Sequence, residues 1–492
     1  MKMVDTDASL AKGTMYLVLA QAIFIFFGFI VHFWLGRSLG PDIYGTYGIV
    51  LALLTGLHLI QSSGIPQVVT KLIAEHPQSS LQIRNHALRI QMVLSIAIAI
   101  PYFILSPVLA TLLGDPDLTV YFRISAFAIP SYSSYAIAVG YLNGLREFKR
   151  QSIMISVYGG IKLLATLILT LMSGLIGAII ALAIGPITSF IFYGRHIRKA
   201  EVVEKIKKLN MRPLIKMSIP FTGFTIAITL LMNIDLLLVK KVLGDPYETG
   251  LYAAASIISK VPYFLITGLS LVIFPAVAAA FSAKKDDELK RIVSETVRAS
   301  LFFLIPLTIL LSSTSHFVLS LVYGAEYVGG AAAMAVLSIG LGLIAMFLVL
   351  GYILNAIGKA WLSFLLATFG LAVGIVADLL LIERFELVGA ATGILIAAFL
   401  VTIIAAVIVR SYIGALIPVK NLLRFSLAGL AIYFVSFLNL SETLVVIKYG
   451  LGALIFLAVL IVTGELGKDD LELLNVLRQN KSTDIKRIGT EV

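Results

Sequence analysis

Apolar runs of about twenty residues recur along this chain with almost no break, and that recurrence limits its folds more than any other feature. A bilayer core about 30 Å thick needs about 20 mostly apolar residues per helix, and in hydrocarbon only helices or closed barrels satisfy every backbone polar group. We place runs at roughly 10–36, 42–66, 88–112, 118–143, 152–173, 175–194, 214–242, 249–280, 299–322, 329–355, 360–382, 386–409, 422–440 and 444–463. The expectation is therefore an all-α polytopic membrane protein with fourteen transmembrane helices. Hydrophobic residues make up 59% of the chain and charged residues 13%, with a mean hydropathy of +1.00. Soluble domains carry roughly twice that charged fraction. Met1 to Lys12 is polar, and the first run is too long for a signal-peptide core and lacks a small-residue cleavage site.

The net charge of +11 raises the question of nucleic acid, and the positions of the charges answer it. If the runs cross in strict alternation, 30 of the 38 Lys and Arg fall on one side, 6 on the other, and Lys162 and Lys260 within runs. Basic loops stay in the cytoplasm. The expectation is a multi-pass protein of the cell membrane with both termini cytoplasmic and no nucleic-acid partner. The longest polar interruption, Arg195 to Lys216, separates six runs from the next six, and two more follow. No cysteine is present, which excludes disulfides and thiol chemistry. The six histidines show no metal-ligand spacing, so we expect no metal and no cofactor.

The halves repeat more than hydropathy. Leu39-Gly40-Pro41 and Tyr44-Gly45-Thr46-Tyr47 follow the first run. Leu243-Gly244-Asp245-Pro246 and Thr249-Gly250-Leu251-Tyr252 follow the seventh. Gly140-Tyr141-Leu142-Asn143 ends the fourth run, and Gly351-Tyr352-Ile353-Leu354-Asn355 ends the tenth. An even number of spans separates the copies, so the units have the same orientation, a known transporter plan with its site between the halves. The expected units are a six-helix bundle over residues 1–200, a second over 213–412, two additional transmembrane helices over 419–463, and a cytoplasmic tail over 464–492. Asp469 and Asp470 ahead of Leu471, Leu474 and Leu477 predict a short helix in that tail.

Several stretches carry a family resemblance. They are Leu10-Ala11-Lys12-Gly13-Thr14, Gly36-Arg37-Ser38-Leu39-Gly40-Pro41 with Tyr44-Gly45, Asn233-Ile234-Asp235, Gly250-Leu251-Tyr252 and Phe274-Pro275-Ala276. In their order and spacing the chain resembles the polysaccharide flippases of the multidrug/oligosaccharidyl-lipid/polysaccharide exporter superfamily. The resemblance implies a V-shaped pair of bundles that moves a lipid-linked oligosaccharide between leaflets by alternating access. The last two spans resemble those of polysaccharide and lipid II flippases; drug exporters of the superfamily typically have twelve.

Charges inside the runs are the candidate site, because a mid-bilayer charge is costly and usually faces a cavity or a partner. Lys260 shares a helical stripe with Ser256, Tyr263, Thr267 and Ser270. Lys162 flanks a stripe of Ser152, Ser156, Gly159, Thr166 and Thr170. The two lie in different halves and are placed to converge on one pyrophosphate, which needs compensating charge on leaving water. Arg37 and Arg123, on the outer side, either hold phosphate in an outward-facing state or snorkel to the interface. Asp235 either pairs with an intramembrane lysine or binds a coupling Na⁺ or H⁺. On an ideal helix it points away from the stripe of Thr222, Thr225, Thr229 and Asn233, which favours the structural pair. Asp378 follows Gly370 and Gly374, a spacing that suits close helix packing, and is the second ion candidate. His32 and His58 read as hydrogen-bonded packing residues.

Three functions compete. The first is a flippase carrying a polyisoprenyl-(pyro)phosphate-linked oligosaccharide from the inner to the outer leaflet, acting as a monomer among membrane lipids. The second is a cation-coupled multidrug exporter of the same superfamily. The third is a membrane glycosyltransferase or ligase, which the short outer loops disfavour. No nucleotide-binding motif is present, so the expectation is a non-enzymatic transporter whose energy input is an ion gradient, the membrane potential or product removal.

Overall fold

The computed structural model describes residues 2–197, 212–414, 416–436 and 445–465. The centre of the basic stretch and the tail beyond Glu465, with its expected helix, lie outside them. The described residues form seventeen α-helices. The first seven are α1 (Lys2–Ser63), α2 (Ile65–Glu75), α3 (Ser80–Ile104), α4 (Ser106–Leu112), α5 (Leu118–Ser125), α6 (Ala128–Gly144) and α7 (Phe148–Ile197). Next come α8 (Arg212–Leu231), α9 (Ile234–Leu243), α10 (Pro246–Ser259), α11 (Val261–Ser282), α12 (Asp286–Ser313), α13 (Ser315–Val322), α14 (Ala331–Ala356) and α15 (Ala360–Ile413). The chain ends in α16 (Val419–Ser436) and α17 (Val445–Val462). Eight helical stretches among the described residues are long and apolar enough to cross a membrane.

Three helices are longer than any bilayer. A straight helix of the 62 residues of α1 would run roughly 90 Å, about three hydrocarbon cores. Each long helix instead turns back on itself. In α1 the reversal is at Gly40 (φ 73°), a conformation glycine adopts without a Cβ penalty. His32 Nδ1 and Tyr44 Oη consequently lie 2.9 Å apart; twelve residues of straight helix would separate them by roughly 18 Å. In α7 the reversal is at Ser173 and Gly174, and in α15 at Glu386. These reversals define one end of the molecule, here the far face. The connections at residues 76–79, 145–147, 283–285 and 357–359 lie at the opposite, near face.

The repeated signature is where the two halves touch. A Cβ on Gly250 would meet Pro41 O at 1.9 Å, and one on Gly45 would meet Gly250 N and Pro246 O at 2.7 Å. Both glycines are therefore required by backbone contact across the pseudo-symmetric pair. A tyrosine belt seals the same end. Tyr44 Oη is 3.1 Å from Tyr323 Oη, and Tyr327 donates to Gly36 O at 2.8 Å.

Among the described residues, the last two helices pack on α12 of the second half. α16 and α17 pack on Leu301, Phe302, Ile305 and Ile309 of α12. Glu465, beyond the end of α17, is buried between Arg298 Nε (2.9 Å) and Arg424 Nη1 (3.1 Å), and also accepts from Asn421.

Candidate functional site

Two helix breaks face each other near mid-molecule. α8 ends at Leu231 and α9 restarts after Asn233, whose φ of −139° is outside the helix. α10 ends at Ser259, and Pro262 opens α11. Broken helices at membrane depth are tolerated where they line a cavity, and both breaks do so here. A cavity of about 360 Å³ lies between the halves, lined by residues of α1 and α7 on one side and α8 to α11 on the other. Lys260, Asn233, Thr229 and Ser256 face Gln21, His32, Thr55 and Lys162 across it.

The two lysines thus line one cavity, one from each half. Lys260 Nζ donates to Asn233 Oδ1 at 3.0 Å. The Lys162 ammonium has no hydrogen-bond or ion-pair partner among the described residues. No acidic residue lines the cavity. Its walls are otherwise mostly apolar, with Phe24, Phe29, Leu51, Met232 and Phe264 prominent. Toward the far face it ends at Tyr44, which is fully buried and bonded to both His32 and Tyr323. A desolvated cation pair with no resident anion favours an anionic guest.

The stripes are only partly realised. Ser256, Lys260 and Tyr263 line the cavity, and Thr267 does not. Pro262 breaks the helix just after Lys260, so the ideal spacing fails there. The Ser270 side chain lies outside the described residues. Along α7, Ser152 and Ser156 line a separate shallow groove with Tyr16, Ala20 and Phe27.

Arg37 and Arg123 do not join the lysines. Arg37 donates from Nε to Val322 O (3.1 Å) and from Nη2 to Leu321 O (2.6 Å), tying the first half to the end of α13 at the far face. Arg123 is exposed, with its guanidinium 5.4 Å from the Phe103 ring centroid. Lys240 is committed similarly, 2.8 Å from Asp115 across the two halves.

The acids sit behind the cavity. Asp235 is fully buried in the first turn of α9, where the helix N-terminus favours a carboxylate. Its Oδ2 accepts from Tyr252 at 2.6 Å, and its Oδ1 has no partner. Among the described residues no ion pair within 4.0 Å includes it, so its direct contact is a phenol rather than a lysine. Asp378 is also fully buried, with both carboxyl oxygens unpaired, and lies against Gly393, where a Cβ would meet Oδ1 at 1.9 Å. Gly370 and Gly374 behave as packing residues: a Cβ on either would press on Val401 or Leu231.

The sequence pattern that defines polysaccharide biosynthesis proteins matches residues 10–281, more than half of the chain. The chain belongs to that family. This polysaccharide biosynthesis protein is also 23% identical over 435 residues to an uncharacterized membrane protein of Methanocaldococcus jannaschii, a match covering 82% of the chain and all of the relative. Its fold is that of lipid II flippase MurJ in an inward closed conformation, at a TM-score of 0.74, 18% identity, and coverage of 91% of this chain and 99% of that one. It is also that of an inward-facing multidrug resistance MATE family transporter of the MOP superfamily, at a TM-score of 0.70 and 14% identity, over 80% and 94% of the two chains.

The sequence reading missed the tyrosine belt. Tyr323 and Tyr327 flank a connection, where no periodicity marks them. It also missed the amides Gln61, Gln91 and Gln151, which are signals in themselves because buried amides at membrane depth need partners.

Proposed function

We propose that this polysaccharide biosynthesis protein is a flippase. It translocates a polyisoprenyl-(pyro)phosphate-linked oligosaccharide from the inner to the outer leaflet by alternating access, for assembly of cell-surface glycan. One observation carries the reading: Lys162 and Lys260, from opposite halves, line one acid-free cavity. The match to a lipid II flippase supports it.

The mechanism follows from the geometry. The excess of basic residues on near-face loops orients that face to the cytoplasm, with both termini there and the protein multi-pass in the cell membrane. With each kinked helix counted as two arms, the described helices accommodate fourteen spans, and the proposal assigns bundles to 1–200 and 213–412, an added pair to 419–463 and a tail to 464–492. The far-face belt then closes the outer side, and the cavity is the inward-loading state. A pyrophosphate between the lysines neutralises both and draws the halves together. Parting of the Gly45–Gly250 contact and release of Arg37 from Leu321 and Val322 opens the outer side. In that state Arg37 and Arg123 are placed to receive the phosphate. The protein works as a monomer, and it performs no bond chemistry. Asp235 and Asp378, buried with unpaired oxygens, are the candidate site for a coupling Na⁺ or H⁺.

The drug-exporter reading rests on the likeness to the MATE transporter and on those two acids. A cationic drug would meet two lysines and no acid in the central cavity, an unfavourable match. The experiment is reconstitution in liposomes with a fluorescent lipid-pyrophosphate-linked glycan, read by dithionite quenching of the outer leaflet. Wild type is expected to move label between leaflets, and Lys260→Ala to stop it at normal folded yield. Translocation at the wild-type rate in Lys260→Ala sinks the assignment. Uptake of a cationic dye with no glycan movement selects the exporter.

A further inference from the structure

A second cavity lies wholly within the first half. It has a volume of about 290 Å³, near the lower end of the roughly 300–1,000 Å³ typical of small-molecule sites. Its walls come from α1, α2, α6 and α7 only. Its chemistry differs sharply from that of the central cavity: no Asp, Glu, Lys or Arg lines it. Four carboxamides do, namely Gln21, Gln67, Asn143 and Gln151, together with the rings of Tyr132 and Tyr135.

The amides are free. None of the four makes a side-chain hydrogen bond to a described residue. Gln151 is the most informative, because it is only 5% exposed and its Oε1 is an orphan. A buried unpaired amide normally costs stability, so a group that awaits a partner points to a ligand. The aromatic wall is rigid by contrast. Tyr132 stacks on His58 with centroids 4.1 Å apart and 12° between planes, and Tyr135 packs against both Tyr132 and Tyr158.

Carboxamides offer donor and acceptor side by side, which matches the paired donor–acceptor character of a sugar hydroxyl. Ring faces carry partial negative charge, which suits the weakly positive C–H faces of a pyranose. Without a formal charge the pocket gives no compensation to an ionised ligand. Gln21 belongs to the walls of both cavities, so a group covalently joined to one bound between the lysines reaches the other.

Resting on the flippase reading, we infer that this amide-lined pocket is a glycan subsite that holds an uncharged sugar ring of the cargo, adjoining the phosphate at the lysines. Because its walls lie in one bundle, it travels intact as the bundles rock. The phosphate site, shared between bundles, is made and unmade. Sugar selectivity therefore resides in the first bundle and charge recognition in both.

The test is binding of polyprenyl pyrophosphate to the full-length protein in nanodiscs, with four probes: bare, or carrying one neutral hexose, one N-acetylhexosamine or one hexuronic acid. Wild type is expected to bind at least one neutral-sugar form about ten-fold more tightly than the bare and uronic forms. Gln151→Leu and Asn143→Leu should each erase most of that preference, about five-fold, while bare pyrophosphate binding stays unchanged. Lys162→Ala should weaken all four probes alike. If bare lipid binds in a Lys162-dependent way and neither amide variant alters sugar preference, the subsite is wrong and the flippase reading stands. A preference for the uronic form likewise overturns the subsite alone. If no probe binds in a Lys162-dependent way, both fall. A thermal melt of each variant separates misfolding from loss of recognition; if Gln151→Leu unfolds, Asn143→Leu decides.

Discussion

Asn143 and Asn355 occupy matching places near the ends of α6 and α14, yet their surroundings are opposite. Asn143 lines the amide-bearing pocket, and its side chain has no partner among the described residues. Asn355 is buried; its Oδ1 accepts from Ser363 at 2.8 Å, while its Nδ2 has no partner. The contrast extends through both bundles. The first buries Gln61, Gln91, Ser133 and Tyr135 among its aliphatic residues. Around α14, the second is filled with Leu337, Leu341, Ile344 and Phe347, the last stacked edge-on against Phe224. The matching glycines follow suit. A Cβ on Gly140 would meet a backbone carbonyl, Pro66 O at 2.4 Å, and one on Gly351 would meet the Phe224 ring at 2.1 Å. Among the described residues the two bundles thus differ in what they bury: glutamines in the first, wet in that sense, and a leucine- and phenylalanine-packed α14 in the second, dry in that sense. The dry bundle also anchors the two added helices and holds the two buried acids.

The strongest way to break this comparison is at the cavity the bundles share. Lys162→Ala and Lys260→Ala should each reduce glycan-lipid translocation at least about a hundredfold, since stranding a buried charge costs about 3–5 kcal/mol. The double variant should be little worse than either single one, because one phosphate group needs both. Additive losses in the quenching assay would mean two separate sites. Next in size is the contact between the signatures. Gly250→Val should prevent far-face closure and shift the population outward. The chain has no cysteine, so spin labels introduced on α1 and α13 would report a longer distance; an unchanged distance would remove the glycines from the gate.

The fillings themselves can be exchanged. Leu341→Gln, in the dry bundle, should cost about 3 kcal/mol or more through a buried unpaired amide. Gln61→Leu, in the wet bundle, should stabilise by about 1 kcal/mol, because both polar atoms of that buried side chain already lack partners. Melting temperatures moving in the same direction would show that the bundles do not differ in this way. Smallest is Arg123→Gln, which removes an exposed cation from above Phe103 and should cost no more than about 0.5–1 kcal/mol of stability, while slowing translocation by about five-fold or less, since an exposed cation contributes little to holding the phosphate. Translocation at the wild-type rate in Arg123→Gln would take Arg123 off the phosphate path.

Much of this was legible in the residues. The apolar run lengths gave the helices, and the Leu-Gly repeat with Gly45 and Gly250 was legible as a repeat, but that these glycines touch was not. Lys162 and Lys260 were found because charge in an apolar run is expensive wherever it lies. Asp235 was harder. Its expected partner was a lysine, but the break at Asn233 turns α9, and Tyr252 from the next helix reaches it instead. Arg37 was legible as a boundary charge, but its acceptors, Leu321 and Val322, are 284 and 285 residues away in sequence. The amide pocket was not read at all, since its four carboxamides come from four helices with no shared period.

The sequence by itself determined that this chain crosses a bilayer many times, that its two halves carry repeated motifs, and which charges lie within its apolar runs. Those follow from transfer free energies, which act residue by residue along the chain. Only the tertiary structure decided which charges meet, which glycines form a seal and which bundle is wet. Those depend on distances between helices far apart in sequence, set by how side chains pack together rather than by the cost of placing each one in the membrane.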